Sequence, residues 1–266
     1  MAKRTRDDIL KGFLETGSEI SGAFGGVVLG QLLAGQAGAF LGGITGTLIA
    51  KTFVSIGAEI NERVLGPREE IRTGAVFAYA LKKIKENEQN GLTVRDDTFF
   101  EYIEGHRPAS EEVLEGIVLF SQRDVEEFKI KYLGNLYANI CFRQDISREY
   151  ANQLIKTANI LSFRQFCILQ LLREQYIESQ EVMNLKLILG KKEIKPLDII
   201  AEIRDLQQRG LAHIPMTHDG GDNSVPIRLD KLSITKGGLF FCEMLSLEEI
   251  ERETLEKINN LTAIKG

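Results

Sequence analysis

Three observations on this 266-residue sequence predict a mainly α chain, with an N-terminal glycine-rich helical hairpin, a central helical bundle and a C-terminal α+β domain. Residues 20–50 carry no charge and place a small residue at every fourth position. From residue 110 to about 158 apolar residues recur at helical spacing. Beyond residue 196 a capped helical pattern gives way to short β-branched runs around a glycine-rich loop. The expected divisions are 1–66, 67–158 and 159–266.

The first part opens with an amphipathic turn carrying Ile9, Leu10, Phe13 and Leu14. Ser18, Gly22, Gly26, Gly30, Ala34, Gly38, Gly42, Gly46 and Ala50 then follow one another four apart without a gap. Positions four apart share one face of a helix, so this series strips side chains from a stripe and lets another backbone approach closely. The segment also repeats itself: GAFGGVVLGQLLA from Gly22 aligns with GAFLGGITGTLIA from Gly38. Gly35 and Gln36 between the copies suit a turn, which favours two short helices over one long one. Nine glycines between residues 20 and 50, each about 1 kcal/mol worse than alanine inside a helix in water, require something to offset them. A bilayer, which forces backbone hydrogen bonding, would do so, as would burial in a close-packed assembly.

This segment resembles the glycine-zipper hairpins of membrane proteins and pore-forming peptides. The resemblance implies self-association and contact with lipid. A single helix over residues 20–50 would span about 46 Å and each hairpin arm about 20 to 27 Å, against a hydrocarbon core of about 30 Å. Insertion would therefore need local thinning or an oligomer.

In the second part, Gly66-Pro67 reads as a linker, followed by an exposed helix ending near Asn90-Gly91. Ser110 reads as the N-cap of the next helix. Val125, Phe128, Tyr132, Leu133, Leu136, Tyr137 and Ile140 keep helical spacing beyond it. The stretch from KIKYLGNLYANICF to ISREYANQLIKTANILSFRQF is similar to a recurrent helical module of bacterial proteins, a likeness that implies no activity.

In the third part Ser162 and Gln165 have the spacing of a capping box. Pro196 in a first turn opens PLDIIAEIRDLQQRG, which stops at Gly210. LAHIPM, the loop THDGGDNS and VPIRLDKLSIT read as a hairpin, and KGGLFFCEML as a returning helix. Helix, helix, hairpin, LSITKGG and an apolar helix, over roughly residues 160–246, resemble a winged helix-turn-helix domain. The resemblance implies recognition of a partner and raises DNA binding through Arg204 and Arg209. Asp198, Glu202 and Asp205 on the same helix and Asp219 and Asp222 in the wing would meet the phosphates with like charge. A protein partner is therefore favoured over DNA.

Chemistry-bearing motifs are sparse. GITGTLIAKT ends at Lys51-Thr52, but a phosphate loop needs glycines where Thr45 and Ala50 stand. His213 and His218 with Asp219 and Asp222 match no zinc spacing, so neither metal nor cofactor is expected. Cys141, Cys167 and Cys242 lie in apolar runs and read as reduced core residues. Asp96-Asp97 and Glu111-Glu112 read as solvated faces or first-turn charges, and His106 as a loop residue. With no nucleophile-base set, the chain is expected not to be an enzyme. A net charge of -5 excludes a general nucleic-acid coat.

The expectation is a non-enzymatic, self-associating protein made in the cytoplasm and joining the inner membrane, with a helical and winged-helix body that senses a partner. Such an architecture suits a pore-forming or membrane-perturbing effector, by analogy one of antiviral defence. The alternative is a cytosolic winged-helix regulator, binding DNA or an adaptor partner, that oligomerises through the glycine stripe.

Overall fold

In the computed structural model the described residues are 47–103, 105–181, 197–214 and 232–262. They are mainly helical and fall into two compact units divided between Ile160 and Leu161.

The first unit contains α1 (Thr47–Asn61), α2 (Pro67–Gln89), α3 (Ala109–Arg123), α4 (Ile130–Ile140) and α5 (Arg148–Ile160). Single turns of 3-10 helix at Thr98–Phe100 and Glu127–Lys129 join some of them. Helix α2 starts at Pro67, where the missing N–H would have had no partner anyway. The Glu69 carboxylate accepts the Gly66 N–H at 2.8 Å. The helix stops at Asn90 because Gly91 takes a φ of +80°.

The core forms where these helices turn their apolar faces to one another. Ile49, Phe53, Ile56 and Ile60 of α1 recur at helical spacing and are buried. Phe53 sits 5.4 Å from the Phe77 ring of α2 and 5.6 Å, edge-on, from the Tyr137 ring of α4. Each such fully buried side chain contributes about 1.5–3 kcal/mol of transfer free energy. Among the described helices, α2 and α4 share the most extensive contact. Gly134 of α4 lies against Tyr79 and the Val76 carbonyl, with room for a hydrogen and no more.

The second unit holds α6 (Phe163–Glu181), α7 (Leu197–Gln208), α8 (Lys236–Leu245), α9 (Arg252–Thr262) and a two-stranded antiparallel ladder of β1 (Ala212–His213) and β2 (Ser233–Ile234), with α6 packed on β2, α7 on β1 and α9 on α6. Ala212 of β1 pairs with Ile234 of β2, and His213 pairs with Ser233. The capping box of α6 is present in full: Ser162 N–H donates to Gln165 Oε1 at 2.8 Å, and Gln165 N–H donates to Ser162 Oγ at 3.1 Å. Thr235 caps α8 by accepting the Gly238 N–H at 2.9 Å. Phe166 of α6 and Phe241 of α8 meet 6.1 Å apart in the core.

Several local expectations are corrected. Helix α2 is not exposed: Ala75, Val76, Phe77, Ala78, Ala80, Leu81 and Ile84 are buried, and its charges lie toward the two ends. Pro108, not Ser110, occupies the N-cap of α3. Ser110 is buried, its hydroxyl 3.0 Å from that of Thr52. The helical spacing begun at Val125 is interrupted, because α3 ends before Asp124. A buried Lys129–Asp124 ion pair of 2.6 Å and the Lys129 hydrogen bond to the Asn159 carbonyl, 2.9 Å, fix the chain there. Val125 and Phe128 are left 87% and 75% exposed, whereas Tyr132, Leu133, Leu136, Tyr137 and Ile140 are core. The strands are two residues each, and the glycine-rich loop between them lies outside the described residues.

Candidate functional site

Of the small residues at fourfold spacing, Ser18, Gly22, Gly26, Gly30, Ala34, Gly38, Gly42 and Gly46 lie outside the described residues. Ala50 is in α1. The same four-residue step carried onward reaches Val54 and Ala58. Ala50 is half-buried, and Val54 and Ala58 are exposed, on the side of α1 away from Phe53 and Ile56. Among the described residues no helix is long and apolar enough to cross a membrane.

Arg204 and Arg209 are both on the surface, but not as a common cationic pair. Arg204 is exposed on α7, while Arg209, just past the helix, donates from Nε to both carboxylate oxygens of Asp205, at 3.0 and 2.9 Å. The acids that the sequence opposes to them are engaged at the start of α6. Glu202 receives the Ser162 hydroxyl at 2.9 Å and Arg164 Nε at 2.6 Å. Asp205 also receives the Gln165 side-chain amide at 3.0 Å. Hydrogen bonding from Arg209 holds the Asp205 carboxyl below its usual range, against a smaller opposing effect of burial. Asp198 has no described side chain.

A concave site that the sequence reading did not assemble lies in the first unit. It is a cleft of about 420 Å³, walled by the 3-10 turn Thr98–Phe100, the loop after it, the start of α3 and the turn leading into α5. Buried Arg95 is among its lining residues. The Arg95 guanidinium is paired through two nitrogens with Asp97 and stacks 4.3 Å from the centre of the Phe99 ring. Hydrogen bonding from Arg95 lowers the Asp97 carboxyl pKa although burial opposes it. In the same pattern two residues apart, Arg143 pairs with Asp145 through two bonds of 2.8 Å.

Two more guanidiniums are aimed by α3. Arg148, at the first position of α5, pairs with Glu112, which also receives Asn152 at 2.6 Å. Arg107 pairs with Glu115, which also receives Arg63 from the end of α1. Glu112 and Glu115 stand three apart and so share a helix face. The Arg148 hydrogen bond lowers the Glu112 pKa in spite of burial. For Glu115 burial acts upward, but the bonds from Arg63 and Arg107 outweigh it and the carboxyl is held low. Asp97 is therefore a partnered anion and not a solvated charge, Glu111 and Glu112 are first-turn charges of α3, with Glu112 paired as well, and Glu115, which the sequence reading did not single out, is partnered in the same way. Glu111 is buried too. His106, whose backbone pairs with that of Ile103, lies on the cleft wall.

The signals for this site were in the sequence as Arg-x-Asp at residues 95–97 and 143–145 and as Glu112 and Glu115 one turn apart. None says which arginine meets which acid across the fold. No group of three or more metal-ligating side chains occurs among the described residues. Comparison of the chain with protein-family models, with curated proteins and with solved structures finds no match.

Proposed function

We propose that this chain is a non-enzymatic, self-associating protein that engages a membrane through its N-terminal segment and binds a partner through its body. The observation that carries the reading is the fourfold small-residue period from Ser18 to Ala50, which runs without a single charge from residue 20 onward. Its support at the described end is the placement of Ala50, Val54 and Ala58 away from the buried face of α1. A helix face turned from the core is suited to contact outside the body. Assembly at a bilayer would give the chain a pore-forming or membrane-perturbing action, which fits a defence effector by analogy of architecture.

For the second unit we infer a winged-helix-like recognition domain. The order α6, α7, β1, β2, α8 and the closed Thr235 cap at the LSITKGG junction support it. A protein partner fits this domain better than DNA, because Glu202 and Asp205 of the same helix would set like charge against the phosphates beside Arg204 and Arg209.

The test is fractionation of cells expressing the full chain, a version lacking residues 1–46, and the variants Gly26→Leu and Gly42→Leu. The cut stands before α1, since Ile49, Phe53 and Ile56 belong to the core. The full chain should stay with membranes through carbonate extraction, and the three others should be released. Equal retention of all four would sink the membrane reading. A salt-sensitive DNA complex weakened by changing Arg204 would instead favour the regulator.

A further inference from the structure

We propose that the cleft of the first unit binds a small zwitterion, an α-amino acid with an apolar side chain. The argument starts from which charges in the cleft are already answered. Arg95 with Asp97 and Arg143 with Asp145 are closed, two-nitrogen pairs. What remains is of both signs. Arg148 gives Nη2 to Glu112, and Arg107 gives Nη2 to Glu115, with Nη1 3.9 Å from a Glu59 oxygen. The Nε groups of both arginines have no acceptor among the described residues. They stand beside the starts of α3 and α5, each contributing a partial positive charge. Glu101, which is exposed and also lines the cleft, is its lining carboxylate with no arginine partner among the described residues.

The cleft therefore has a positive pole at Arg107 and Arg148 and a negative one at Glu101, with the Phe99 ring and Ile103 supplying apolar surface. A simple anion would face Glu101, Asp97 and Asp145, and a simple cation would face three guanidiniums, so neither gains a net field. A zwitterion satisfies both poles, its carboxylate on the arginines and its ammonium on Glu101. A volume of about 420 Å³ lies in the range of small-molecule sites. Such a ligand would bind between α3, α5 and the loop before α3, the region that also ties α1 through Arg63 and Glu115. This inference stands apart from the membrane reading, since binding is read on the body wherever the chain resides.

The experiment is calorimetric titration of the full chain with L-phenylalanine and L-leucine, beside N-acetyl-L-phenylalanine and L-phenylalaninamide. One zwitterion at least should bind, and masking either charge of phenylalanine should weaken its binding about tenfold or more. Glu101→Gln removes an exposed carboxylate and should leave thermal unfolding unchanged. It should weaken L-phenylalanine about tenfold while leaving the N-acetyl derivative, which has no ammonium, unaffected. The proposal is overturned by absence of binding at millimolar ligand, by equal binding of masked and unmasked forms, or by an equal effect of Glu101→Gln on both.

Discussion

At Gly134 an added methyl would stand 2.8 Å from Tyr79 Cβ and 2.9 Å from the Val76 carbonyl oxygen. The neighbours are a Cβ and a backbone atom, neither able to swing aside, so Gly134→Ala should destabilise the first unit by about 1–3 kcal/mol. Gly116 of α3 meets nothing within 4 Å. There the same change should add up to about 1 kcal/mol from helix propensity alone. Urea denaturation of the two variants checks both signs. The thiols are a second residue-scale case. Burial pushes Cys141 and Cys242 up to about 12, and Cys167 is buried as well. A thiolate-directed reagent at pH 8 should leave the native chain unlabelled and modify all three cysteines once it is denatured.

The elements owe their limits to short local signals and their positions to packing. Ser162→Ala breaks the capping box of α6, and Thr235→Ala the cap of α8. Each should cost about 1 kcal/mol, and hydrogen exchange should rise first at the amides those side chains hold. The boundaries marked by such signals were legible: Ser162 with Gln165, the stop at Gly91, and Gly210 with its φ of +71°. Elsewhere the sequence misled for identifiable reasons. Helix α2 looks solvated because its ends read PREE and KKIKENEQ, yet the intervening TGAVFAYA is buried against α4, where Gly134 makes room for Tyr79 and the Val76 carbonyl. Val125 and Phe128 continue an apolar period that is broken where Lys129 pairs with Asp124 across the turn and reaches the Asn159 carbonyl, a long-range contact without local trace. The cleft was illegible for the same reason. Its arginines find acids 36 residues away, as Arg148 finds Glu112, as well as two residues away.

Across the molecule, carboxylates held low by arginines tie folding to pH. Asp97, Glu112 and Glu115 in the first unit and Asp205 in the second have folded pKa values below their ordinary ones. Their contribution is present above the unfolded values of about 3.9–4.3 and is lost as pH falls through the lower folded ones. Melting temperature should hold from neutral pH to about 5 and drop below about 4. Glu112→Gln should flatten that drop, at the cost of a lower plateau because Arg148 loses its partner.

Helix α1 also fixes what the chain does under tension. Its side chains Ile49, Phe53, Ile56 and Ile60 are inserted into the core, and Arg63 just beyond it is fastened to Glu115. A pull arriving at Thr47 along the axis of α1 would load these four anchors in shear, all at once. Traction applied at Thr47 would thus pass into the bundle of the first unit. The first unit would be dragged along before α1 peeled from it.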